Sequence, residues 1–262
     1  MMRVSVFGTE EIKMMDDEGT SDVFIRCFFD TKNALETDTH YRCQTGKASF
    51  NYRLNFKLKY PMQQTIFTVQ AYDRDFFKSN DIIGSHMIDL RQLIEDCDVT
   101  KRPITLNYDY YMARMHDKEK DGEKPKYQFV REEDKKSKEN SMFNDSFWLK
   151  MIAKNDKGEE ENNGEVNIRI DISPLEQFEK NPTGSARDDP NNEPYLPPPV
   201  GRLHFSLNPF EMYKQLIGPA MRRKIAYWCM IFWGSICCAA ILYYLVPIII
   251  GGLLTNWISH GF

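Results

Sequence analysis

Hydrophobic and polar positions alternate with period two through most of the first 175 residues. "RVSVF", "DVFIRCFF", "ETDTHY", "SFNYRLNFKLKY", "TIFTVQAY", "IIGSHMIDL", "FWLKMI" and "EVNIRIDI" each read as a strand, because successive side chains of a strand point to opposite faces. "LRQLIED" is a rare stretch with helical spacing. About eight short strands parted by turn residues predict an all-β fold, an eight-stranded antiparallel β-sandwich. The alternation is clearest from 51 to 60, where Tyr52, Leu54, Phe56, Leu58 and Tyr60 fall on one side and Asn51, Arg53, Asn55, Lys57 and Lys59 on the other. One face is thus assigned to the core. The opposite, basic face is either an ordinary solvated surface or a seat for anionic ligands through Arg53, Lys57 and Lys59.

Beyond these strands the pattern changes character four times. Residues 114–139 carry nine basic and eight acidic side chains among 26, which leaves little to bury and predicts a flexible insert. After a domain ending near 175, residues 176–207 are rich in proline, asparagine and aspartate and predict a semi-rigid spacer. A basic juxtamembrane segment, 208–224, follows, with Phe210, Tyr213, Ile217 and Met221 at helical spacing, suited to the headgroup layer of a bilayer. The last Asp, Glu, Lys or Arg is Lys224.

The uncharged run from Ile225 is the strongest signal in the chain. A helix needs about 20 apolar residues to cross a bilayer, and Ile225 to Val246 supplies that length before Pro247. A transmembrane helix is predicted over 225–250, with a short non-cytosolic tail over 251–262; Tyr227, Trp228, Tyr243, Tyr244 and Trp257 suit the interfaces. Arg222, Arg223 and Lys224 precede the span and no lysine or arginine follows it. The positive-inside rule then keeps the N-terminal domain in the cytosol. "MMRVSVFGTEE" lacks an apolar region of signal-peptide type. Cys27, Cys43 and Cys97 form no CxxC pair and read as small reduced thiols. A net charge of −4 gives no reason to expect nucleic-acid binding.

Candidate chemistry is concentrated in acidic residues. Asp73 and Asp75 lie two apart at a strand end, and Asp81 follows six residues after Asp75. Asp16 and Asp22, also six apart, flank a second turn. Both clusters sit at strand ends and can meet at one edge of a sandwich. Two carboxylates about 4 Å apart repel by roughly 4 kcal/mol at an effective dielectric near 20, so five together favour protonation or a hard cation such as Ca2+. An EF-hand counted from Asp73 fails at positions six and twelve, which are Lys78 and Gly84. "DRD" matches the DxD of sugar transferases, but three letters without a large α/β domain carry little. GxSxG, P-loop, GxGxxG and paired-histidine signatures are absent, so no enzyme activity is expected.

"MDDEGTSDVFIRCFF" resembles the first calcium loop of a C2 domain, and "YDRDFFKSNDIIG" resembles the third. The family's five ligand positions fall on Asp16, Asp22, Asp73, Asp75 and Asp81. Val23 replaces a usual proline, and Lys78 stands where serine is common. More narrowly, "ETDTHYRCQTGKASFNYRLNFKLKYP" and "ARDDPNNEPYLPPP", followed by a basic cluster and an apolar span, are similar to the C-terminal end of ferlins. The resemblance implies type II strand order and tail anchoring. It also implies calcium-dependent binding to anionic phospholipid, with phosphoinositides, fusion machinery or further C2 domains of a larger chain as partners. Vesicle docking, membrane fusion or membrane repair, at a vesicle or the plasma membrane, is the implied role, with Phe76 and Phe77 as an insertion tip. The alternative is a calcium-independent tether or protein-interaction module using the basic sheet face.

Overall fold

The structure is a computed structural model that describes residues 1–16, 19–75, 78–106, 145–155, 157–217 and 219–260. The charged insert 114–139 lies outside the described residues, as do Phe76 and Phe77. The chain divides into two compact units, Met1–Leu203 and His204–Phe262.

In the first unit, ten strands form among the described residues: β1 Met2–Glu10, β2 Ser21–Phe28, β3 Leu35–Glu36, β4 His40–Cys43, β5 Ser49–Phe56, β6 Ile66–Asp73, β7 Asp81–Asp89, β8 Ile104–Leu106, β9 Phe147–Lys154 and β10 Glu160–Ile172. Helices α1 Arg91–Thr100 and α2 Leu175–Lys180 complete it. One antiparallel layer runs β3-β2-β6-β7 and the other β9-β10-β1-β5, with β4 on β2 and β8 on β10. Where the layers meet, Ser85 pairs with Ile152. Gly84 permits that approach, since a Cβ there would lie 2.7 Å from the Met151 carbonyl carbon. The last strand, β10, lies beside the first, β1, in the type II order the resemblance implied.

Register explains the core. Met2, Val4 and Val6 of β1 face Phe56, Leu54 and Tyr52 on one side and Ile172, Ile170 and Ile168 on the other. These pack with Val23, Ile25, Phe67, Val69, Leu149 and Met151 from the remaining strands. The stretch read as one strand, "ETDTHY", is broken into the end of β3 and the start of β4. Thr37 turns inward between them, giving its N–H to the Ile25 carbonyl and taking the Ile25 N–H on Oγ1 at 3.0 Å. β5 ends at Phe56 rather than Tyr60, because Phe56 pairs with Met2 and β1 begins there.

The spacer expected over 176–207 takes a different form. Through Arg202 it is laid as a strap over the outer face of β1 and β5. Arg53 reaches up from β5 and donates to the carbonyls of Gly184 at 3.0 Å, Asn192 at 3.0 Å and Pro194 at 2.7 Å. Asn55 donates to Thr183. In return, Arg187 donates to the carbonyls of Phe50 and Asn51 and to Asp38. Arg202 grips both oxygens of Asp38 at 2.7 Å, the bidentate geometry for which guanidinium is shaped. Leu196 and Ala186 bury Phe7, the residue left over at a β-bulge between Val6 and Gly8. A proline-rich segment forms few ladder hydrogen bonds of its own, so arginines supply its carbonyls with donors.

The second unit contains α3 Pro209–Leu216 and α4 Pro219–His260. Asn208 caps α3 by accepting the Phe210 N–H at 3.0 Å, with Pro209 at the first turn, where no N–H partner is needed. Met221–Asn256 within α4 is long and apolar enough to cross a membrane. The helix continues through His260, so residues 251–260 are helical.

Candidate functional site

β2 begins, β6 ends and β7 begins at one edge of the first layer. Val23 pairs with Asp73, and Asp73 with Asp81, which brings the β1–β2 loop beside the β6–β7 loop. The sequence separation of the two acidic clusters is thereby removed by strand pairing.

Asp73 is the centre of this edge. It is 2% exposed, and its Oδ1 accepts the Asp22 N–H at 2.6 Å. Burial pushes its carboxyl up to about 6; the Asp22 N–H opposes that shift, while Asp16 and Asp22 add to it. The Asp22 carboxyl is also raised, first by burial and further by Asp16 and Asp75, against the Arg42 N–H that its Oδ1 accepts at 2.7 Å. Asp16 lies at the rim and accepts from Thr20 Oγ1 at 3.2 Å. Asp16, Asp22, Asp73 and Asp75 thus act on one another electrostatically. An edge of this kind favours anything that brings positive charge.

Lys78 already brings some. Its ammonium lies 2.6 Å from Asp81 Oδ2 and 3.4 Å from Asp75 Oδ2, and these two carboxylates raise its own pKa. Asp75 Oδ2 is otherwise buried without a hydrogen bond. The donor chemistry fits a hard divalent cation, since these groups offer only carboxylate oxygens. The spacing does not yet enclose one: among the described residues no group of three or more His, Cys, Asp or Glu side chains is drawn together to hold a metal ion. Lys78 lies between two of the expected ligands. Replacing Lys78 with serine is expected to tighten calcium binding by about two- to fivefold, as for an exposed ion pair. Isothermal titration of the two proteins, with a smaller difference at high salt, checks this; equal affinities would show that the ammonium gives way freely.

The other sequence-derived residues divide sharply. Arg53 is 1% exposed and gives both its terminal nitrogens to the strap, so the structure corrects its assignment to a lipid-binding face. Burial lowers its pKa to about 10, with Arg3 and Arg169 acting in the same direction and Asp171 opposing; it remains charged at neutral pH. Lys57 and Lys59 are exposed, just past the end of β5. Arg222, Arg223 and Lys224 sit in the opening turns of α4. The sequence reading missed Asp38, Arg187 and Arg202, which fix the strap. It also missed Arg74, which covers the Phe24 ring at 4.3 Å while Phe24 stacks on Tyr72 at 5.3 Å, stiffening β2 and β6 behind the acidic edge. A hint was available in "SFNYRLNF": an outward face of asparagine and a single arginine asks for hydrogen-bond partners more than for water.

Residues 1–105 match the family model described as the C2 domain. The chain is 24% identical to Ferlin 1 of Toxoplasma gondii over 200 residues, which covers 75% of this chain and 11% of that protein. Myoferlin of Xenopus tropicalis is 24% identical over 230 residues, 76% of this chain and 11% of its own length. Human myoferlin is 24% identical over 228 residues, 74% and 10% respectively. The chain thus spans about a tenth of the length of these relatives. A solved C2 domain of plant extended synaptotagmin 1 overlaps with a TM-score of 0.37 at 12% identity, over 64% of this chain and 90% of that one.

Proposed function

With a C2 domain on a ferlin-like chain as the premise, we propose that this protein is a tail-anchored, calcium-dependent phospholipid-binding module acting in vesicle docking, membrane fusion or membrane repair. It is a binding module and not an enzyme. The observation that carries the reading is the acidic edge itself, where buried Asp73, raised to about 6, is flanked by Asp16, Asp22 and Asp75. Such an edge repels anionic headgroups until its charge is met. Asp16, Asp22, Asp73, Asp75 and Asp81 would hold Ca2+. One to three ions bound there would offset the local negative charge and offer coordination to lipid phosphate. Asp73 and Asp22 anchor the two loops to each other through the Asp22 N–H, so both loops present to the same surface. Phe76 and Phe77, in sequence between Asp75 and Lys78, would add apolar burial of about 1.5–3 kcal/mol per fully buried ring. Lys57 and Lys59 would contribute about 1 kcal/mol each near an anionic surface, including one with phosphoinositides.

Residues 225–246 supply the anchor, and Arg222, Arg223 and Lys224 set the domain in the cytosol. Cosedimentation of residues 1–203 with phosphatidylserine vesicles tests the calcium reading. Protein is expected in the pellet with calcium and in the supernatant with chelator; equal binding in both makes the protein a constitutive tether. In sealed vesicles bearing the full chain, the domain is expected to be cut by added protease, and protection would reverse the orientation.

A further inference from the structure

The apolar helix is too long for the bilayer it is read to cross. At about 1.5 Å per residue, the roughly 32 uncharged residues that follow Lys224 within Met221–Asn256 reach about 48 Å, against a hydrocarbon core of about 30 Å. Tilt alone would have to exceed 50°, beyond the roughly 0–40° that membrane helices adopt. The surplus must be placed elsewhere.

The sequence indicates where. The 22 residues from Ile225 to Val246 match the core at about 33 Å. Pro247 follows inside the helix, with no N–H to donate and a ring that crowds the carbonyl four residues earlier, the usual cause of a helix bend. Beyond it the helical pattern changes from apolar all round to two-sided. At about 100° per residue, Gly252, Thr255, Asn256 and Ser259 fall within one arc of about 100°, and Ile250, Leu253, Leu254 and Ile258 within the opposing arc of about 140°. Ile248 and Ile249, next to Pro247, depart from this pattern, Ile248 inside the polar arc and Ile249 about 20° beyond its edge. Thr255 folds its hydroxyl back onto the carbonyls of Gly251 and Gly252 at 3.0 Å, so its polarity is met within the helix.

We infer that residues 248–260 form a second, interfacial helix that lies in the membrane leaflet opposite the C2 domain, with Ile250, Leu253, Leu254 and Ile258 toward the acyl chains. The partner is a lipid surface. Helices with one apolar and one polar face settle at the headgroup boundary; this one has a polar face without charge and is delivered there by the span that precedes it. The inference rests on the anchor reading above.

The test uses the full chain in phosphatidylcholine vesicles, with a fluorescent amino acid at Ile236, Leu254 or Asn256 in turn. Lipids brominated near the chain ends or near the headgroups, and aqueous iodide, serve as quenchers. Position 236 is expected to lose emission to deep bromines, position 254 to shallow bromines, and position 256 to iodide. If 236 is deep and 254 is equally deep, the helix runs on as a tilted span and the inference fails. If 236 is deep while 254 and 256 both answer only to iodide, the segment is a water-exposed tail and the inference again fails. A position 236 that is not deep overturns the anchor reading, and this inference with it.

Discussion

Substituting Arg53 with methionine is expected to destabilise the first unit by about 3–5 kcal/mol, without lowering its affinity for vesicles under conditions where it is folded. The guanidinium satisfies three carbonyls of the strap at once. Methionine fills part of the volume and leaves those three part-buried acceptors without their donor, at about 1 kcal/mol or more each, and adds the loss of the buried guanidinium's packing. For a unit of about 200 residues that is a fall of roughly 6–20 °C in the unfolding midpoint. Lys57→Met, at an exposed position close by, is expected to leave stability within about 0.5 kcal/mol. Denaturant unfolding of residues 1–203 in the two variants separates the roles. A stable R53M protein with weakened vesicle binding would return Arg53 to the lipid face and reduce the strap to a passive covering.

Asp73→Asn carries the second large effect, and it has two opposite signs. In the folded chain the carboxyl titrates at about 6, against an ordinary value of 3.8. Between those values the folded state binds more protons than the unfolded state, so stability falls as pH rises through that window and stays low above it. Asparagine removes the charge and keeps an oxygen for the Asp22 N–H. In chelator at pH 7, D73N is therefore expected to be the more stable protein, by on the order of 1–3 kcal/mol, with the slope between pH 4 and 6 reduced. The same change removes a charged oxygen donor and is expected to weaken calcium-dependent vesicle binding by about tenfold or more. Thermal unfolding across pH, paired with cosedimentation, reads both. A D73N protein that is less stable without calcium would mean that the Asp73 charge is met in the apo domain, and the electrostatic case for a cation would lose its centre.

The sandwich was legible because its strands obey a local rule. Val4, Val6, Leu54, Ile168 and Ile170 alternate with polar neighbours whether or not their partners are known. The ends of strands were less legible, since pairing decides them: β5 stops where β1 runs out, and β8 exists by pairing Ile104 to Leu106 against β10. The five aspartates were visible from spacing, yet nothing local says that Asp73 is buried while Asp16 is at the rim. That difference comes from the strand pairs on either side of Asp73. Lys78 was visible as a departure, and its contacts with Asp75 and Asp81 were not. The strap was the least legible element. Irregular backbone held by arginine side chains leaves no period in the sequence, so proline and asparagine read as spacer.

As a free spacer, the 32 residues 176–207 would be a leash of up to about 100 Å. With the chain fixed to the sandwich as far as Arg202, four residues, His204 to Leu207, lie between the first unit and the cap of α3, a contour of about 13 Å. The strap thus leaves the chain about an eighth of the free contour that an unbound spacer would give it, and it does so without a single residue of added length.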